Sequence, residues 1–140
     1  MDEPHWIQTK VVLAIHRRQL AEHGGIEGVA DRGLLESALA RPRNLFVHGK
    51  PKPDIAALAG AYAFGICKNH AFNDGNKRTA LVVCRTFLLL NGVDIRAAKE
   101  ERYKTFIALA DGSIDEEKLV AWIREHLVKD AGPAGHDDLT

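Results

Sequence analysis

Two apolar segments with a polar break between them constrain this 140-residue chain more than any other feature. Ile55 to about Lys68 is built largely from Ala, Gly, Ile and Leu, with Asp54 placed to accept from the first free N–H groups of a helix. Asn76 to Leu90 is equally apolar and ends at Asn91-Gly92. Runs of this length and character read as helices at the centre of a bundle, and the small residues of the first let neighbours approach closely. The break, Asn69 to Gly75, is then held near the core, where its polar groups need partners.

The remaining segments supply the outer helices. Trp6 to His23 carries Ile7, Val11, Val12, Ile15 and Leu20, and Gly24-Gly25 stops it. Asp31 caps a short helix with Leu34, Leu35, Ala38 and Leu39, which Pro42 is expected to close. Residues 42–53, with Pro42, Gly49, Pro51 and Pro53, read as a loop or short hairpin flap. Ala98 to Ala110 is amphipathic through Tyr103, Phe106, Ile107 and Ala110. Ser113 or Asp115 caps a last helix with Leu119, Val120, Ile123 and Leu127 inward. Without a long alternating run the fold class is all-α, a compact bundle of about six helices. One domain over residues 1–129 and a flexible tail over 130–140 complete the expected organisation.

Charge divides function classes. Nineteen Lys and Arg balance nineteen Asp and Glu, so a uniformly basic nucleic-acid binder is excluded. Residues 41–97 nevertheless hold nine bases and three acids, which points to an anionic partner for the centre. Two Cys make no disulfide framework, and Cys67 and Cys84 read as buried free thiols. The longest uncharged apolar run, Ile55 to Cys67, falls short of the about 20 residues a membrane span needs. The start of the chain is not a secretory signal, so a cytoplasmic setting is expected.

The break concentrates chemistry. Residues 70–78 read His70-Ala71-Phe72-Asn73-Asp74-Gly75-Asn76-Lys77-Arg78. Gly75 permits tight backbone geometry, and the helix opening at Asn76 presents N–H groups with no internal partner. Lys77 and Arg78 add positive charge there, which describes a phosphate site. Asp74 is a hard oxygen ligand suited to one corner of a magnesium ion. His70 is the group suited to take a proton from an attacking hydroxyl. Phe72 reads as a wedge anchoring the loop. Each element alone has a plainer explanation: a satisfied His–Asp pair, an Asp-Gly turn, a solvated helix start. A ribonuclease could use His70 with these cationic phosphate binders, and the cationic centre of the chain also suits a non-enzymatic helical nucleic-acid-binding module. Zinc is disfavoured, because Cys67 and His70 have no third and fourth ligand near them. His5, His16, His23, His48, His126 and His136 read as surface or packing residues.

The stretch from His70 to Arg78 resembles the H-x-F-x-D-[GA]-N-K-R pattern of the Doc (death-on-curing) toxins of the Fic superfamily, matching every specified position. Gly24-Gly25 through Asp31 to Pro42, and Ala110-Asp111-Gly112 with the helix bearing Trp122, extend the resemblance over roughly residues 7–128. It implies His70 as general base, Asp74 as magnesium ligand, and Gly75, Asn76, Lys77 and Arg78 as nucleotide phosphate binders. Most Fic proteins carry Gly where this chain has Lys77 and a second Arg where it has Leu81, and they transfer AMP. The Doc branch is understood to bind ATP reversed and to transfer the γ-phosphate, its target being a threonine of elongation factor Tu in translation. The loop Arg41, Arg43, Lys50 and Lys52 corresponds to the region where the superfamily clamps a target, against the plainer reading of a solvated loop. Self-inhibited Fic proteins carry [ST]-x-x-x-E-[GN]. Here Ser113 to Glu117 is followed by Lys118, so inhibition is expected from another chain, a Phd-type antitoxin of a type II module. No membrane and no direct nucleic-acid partner is implied.

Overall fold

The computed structural model describes residues 1–132 and 139–140. Its element order is α1 (Thr9–His23), α2 (Arg32–His48), α3 (Ile55–Asn69), α4 (Asn76–Leu90), β1 (Val93–Ile95), α5 (Lys99–Asp111), α6 (Glu116–His126) and β2 (Leu127–Lys129). The six helices and a single small sheet among the described residues bear out the all-α bundle.

Helix α3 is the axis. Leu58, Ala59, Tyr62, Ala63 and Ile66 are fully buried, with α2, α4 and α6 packed around them. Its glycines are where backbones meet. A Cβ on Gly65 would lie 3.2 Å from Cα, Cβ and O of Ala38, and one on Gly60 would overlap the Val120 side chain. Asp31, Asp54 and Asp115 cap α2, α3 and α6 by accepting from the N–H groups of Leu34, Ala57 and Lys118.

Two expectations are corrected. Helix α2 does not close at Pro42 but continues through it to His48, so residues 42–48 are helix and no hairpin flap forms. Pro42 cannot donate to the Ala38 carbonyl, which costs a helical bond. Packing offsets this: Pro42 is buried, and Arg41 reaches the Ala61 carbonyl at 3.3 Å and Glu116 at 2.9 Å. Farther along, Phe46 meets the edge of Trp6. Leu127 leaves the last helix, since residues 127–129 pair antiparallel with 93–95 in the register Val93↔Lys129, Asp94↔Val128, Ile95↔Leu127. Arg85 stands within the apolar stretch of α4. It is buried and grips Asp94 through Nε at 3.1 Å and Nη2 at 3.0 Å, tying α4 to β1.

Most of the expected tail lies outside the described residues. Of its end, Thr140 is buried, and its carbonyl accepts from Nε of Arg102 at 2.9 Å. No described helix is long and apolar enough to cross a membrane.

Candidate active site

Helix α3 ends at His70, which takes the left-handed conformation with φ 49° and ψ 47°. That backbone region is sparsely used by non-glycine residues and turns the chain sharply off the helix. His70 is exposed, and its ring has no hydrogen-bond partner among the described residues, which leaves both nitrogens open to a substrate. Immediately after it Ala71 and Phe72 plunge into the core at 0% and 2% exposure. The Phe72 ring stacks on that of His16, with centroids 3.8 Å apart and planes 11° apart. Phe72 is thus buried against α1.

Residues 24–31 clamp the loop from the other side. Ala30 N–H donates to the Ala71 carbonyl at 2.8 Å, Asn73 N–H to the Gly28 carbonyl at 3.1 Å, and the Asn73 amide to the Glu27 carbonyl at 2.9 Å. Val29 and Phe72 form an antiparallel bridge. Gly25 does more than stop α1. Its φ of 133° favours glycine, and a Cβ there would lie 2.9 Å from Oδ2 of Asp74.

Asp74 is exposed, and its carboxylate accepts from the N–H of Ile26 at 3.2 Å and of Gly75 at 2.9 Å. Those two donors, Ile26 first, hold its carboxyl below the ordinary carboxylate range and keep it ionised. Each oxygen takes one N–H, so lone pairs remain for a cation. No group of three or more His, Cys, Asp or Glu among the described residues is arranged to hold a metal. The Asp74 carboxylate, with lone pairs left free, fits an ion that takes the rest of its shell from phosphate and water oxygens, as magnesium does.

Gly75, with φ 76°, starts α4. The first helical bond is donated by Thr79 N–H to the Gly75 carbonyl, so the N–H groups of Asn76, Lys77 and Arg78 have no acceptor inside the helix. A helix end of this kind, reinforced by the helix dipole, can hold an anion. The Asn76 side chain is turned inward. Its Oδ1 accepts from Phe72 N–H at 3.2 Å and its Nδ2 donates to the Phe72 carbonyl at 3.0 Å. Only its backbone faces the open helix end, so the structure gives Asn76 a loop-bracing role. Lys77 is exposed. Arg78 places its guanidinium over the Tyr103 ring, 5.7 Å from the centroid, with Nε buried and unpartnered.

These residues line an open cleft of about 580 Å³. Its far wall is α5, contributing Tyr103, Ile107, Ala110 and Asp111. Sequence reasoning assigned Tyr103 and Ile107 to the amphipathic face of a helix and gave them no part in the site. Ile107 is 40% exposed, and that exposure is the signal that it faces a ligand space rather than the core. Asp111 accepts from the hydroxyl and N–H of Ser113, which hold its carboxyl low. Cys67 borders the same cleft, but burial pushes its thiol up to about 11, and Cys84 to about 12. Both are the inert buried thiols expected.

The cationic residues of 41–52 are elsewhere and do not line the cleft. Arg41 is paired with Glu116, Arg43 lies over Trp6, Lys52 over Phe46, and Lys50 is exposed.

Known proteins place this geometry. The model of the Fic/DOC family matches residues 6–88, from the start of the bundle through almost all of α4. The chain is similar to "Protein kinase doc" of Escherichia phage P1, 28% identical over 118 residues that cover 84% of this chain and 92% of that protein. It is also similar to "Toxin Doc" of Mycolicibacterium smegmatis, 42% identical over 74 residues, 53% of this chain and 57% of that one. The matched region contains the loop, its clamp and the open helix end, and the chain belongs to the Fic/DOC family.

Proposed function

We propose that this chain transfers the γ-phosphate of ATP to a threonine hydroxyl of a protein, elongation factor Tu being the target the family resemblance implies, and so blocks translation. The observation that carries the reading is the unpartnered His70 ring set beside the open N-terminus of α4 in one cleft. Phosphoryl transfer asks mainly for in-line positioning and neutralised charge. The N–H groups of Asn76 to Arg78, with the Lys77 and Arg78 side chains, hold phosphate oxygens. His70 accepts the proton of the attacking hydroxyl as the new oxygen–phosphorus bond forms and ADP departs. Asp74 supplies one ligand to magnesium, which when bound neutralises charge on the nucleotide phosphates. The residues of 41–52 are an edge for the target. A cytoplasmic setting and a Phd-type antitoxin as partner in a type II module complete the proposal. No sequence within this chain supplies the Fic self-inhibitory pattern.

The test is transfer to protein in a cell extract, using ATP labelled at either the γ or the α position. The expected result is a single band labelled from the γ position only. Label arriving from the α position overturns the kinase reading in favour of AMP transfer.

A further inference from the structure

We propose that His16, on α1 and outside the cleft, is a positioning residue that sets the Asp74–Gly75 peptide in its working orientation. His16 is 3% exposed, and its Nε2 lies 2.8 Å from the Asp74 carbonyl oxygen. A carbonyl oxygen accepts, so Nε2 carries the proton in this contact. The imidazole face stacks on Phe72, so the same ring fixes the anchor and the Asp74–Gly75 peptide.

That peptide needs an external restraint. Rotation of the Asp74–Gly75 plane changes ψ of Asp74 and φ of Gly75 together, and glycine accepts both signs of φ. Gly75 therefore does nothing to prevent the flip. Because the peptide is planar and trans, fixing its carbonyl on one edge fixes its N–H on the other. In the observed orientation that N–H donates to Oδ1 of Asp74, while Ile26 N–H holds Oδ2. A flip would turn the carbonyl toward Oδ1 of Asp74 and remove that N–H, leaving the carboxylate held by Ile26 N–H alone. Leu20 and His16 form the floor that receives this segment: a Cβ on Gly75 would meet Leu20 Cδ2 at 3.3 Å and His16 Nε2 at 3.7 Å.

Two substitutions separate the hydrogen bond from the stack. His16→Phe keeps a ring against Phe72 and removes the donor; His16→Gln keeps a donor and removes the ring. Amide hydrogen exchange of Ile26, Gly75 and Thr79 is measured in the full chain. His16→Phe is expected to lose protection at these amides, and His16→Gln to retain most of it. For phosphoryl transfer, which rests on the function proposed above, His16→Phe is expected to lower kcat about 10²-fold with a smaller change in KM, the cost of a misplaced site element. His16→Gln is expected to rescue most of that loss. Unchanged exchange in His16→Phe overturns the proposal, and so does equal loss of protection in both variants. A wild-type chain that transfers no label refutes the proposed function instead, and leaves the exchange result to decide the role of His16.

Discussion

At its C-terminal end α4 is closed by its surroundings. Arg85 is locked on Asp94 by two bonds, and the Asn91 amide donates to the His5 and Phe87 carbonyls while its oxygen accepts from His5 N–H. At its N-terminal end three successive N–H groups lack an acceptor within the helix, and Arg78 keeps a buried, unpartnered Nε. The two arginines lie seven residues apart on one helix. One is consumed by the fold. The other is held ready by a ring face. A helix whose polar groups are satisfied at one end and left open at the other places its stability and its chemistry at separate ends, and the two should fail separately.

The largest expected effect is at the open end. His70→Ala should lower transfer by about 10²–10⁴-fold, the range for a lost general base, with no change in melting temperature because the ring makes no bonds within the fold. Label-transfer rates and calorimetry on one preparation check both halves. At the closed end, Arg85→Ala should cost about 3 kcal/mol of stability, the lower end of the range for a broken buried pair because Asp94 is only partly buried, read from denaturant unfolding. Comparable destabilisation by Arg78→Ala would break the comparison, since that arginine is assigned to ligand rather than to fold. Its expected signature is a loss of about 10²–10³-fold in transfer, the range for a lost charge-stabilising donor.

Asp74 sharpens the comparison through pH. Its carboxyl is held below its ordinary 3.8, so the ionised form is favoured by the folded loop. The loop stability it contributes is present above that ordinary value and is lost as pH falls through the lower folded-state value. The Ile26 and Gly75 amide signals should therefore titrate with a midpoint below 3.8, and a midpoint above it would contradict the two observed hydrogen bonds. The smallest effect belongs to an exposed cap that also pairs with Arg124: Asp54→Ala should cost about 1 kcal/mol, measured by urea unfolding, with transfer unchanged.

What was legible in the sequence follows the same division. Local signals located α3 and α4, their caps and the polar break, because apolar period, Asp caps and Gly stops act within a few residues. Where tertiary packing overruled a local rule, the reading failed. Pro42 is a helix breaker in isolation, yet Arg41, Phe46 and the α3 surface hold its helix together. The strands at 93–95 and 127–129 are three residues each, too short for alternation to register. The site was legible in its own nine residues and illegible in its walls. Tyr103, Ile107 and His16 reach it from distant helices, and His16 looked like a packing residue because one of its two jobs is packing.

The clamp on the motif loop joins residues 46 and 48 positions apart, Glu27 with Asn73 and Ile26 with Asp74. The site is thus a long-range product of folding. A chain with α3 and α4 formed but residues 24–31 undocked has every residue of the motif and lacks the frame that orients it. Translation runs from the N-terminus, so the frame is made before the loop it will hold. Competence of the site therefore arrives with tertiary closure and not with the appearance of the motif.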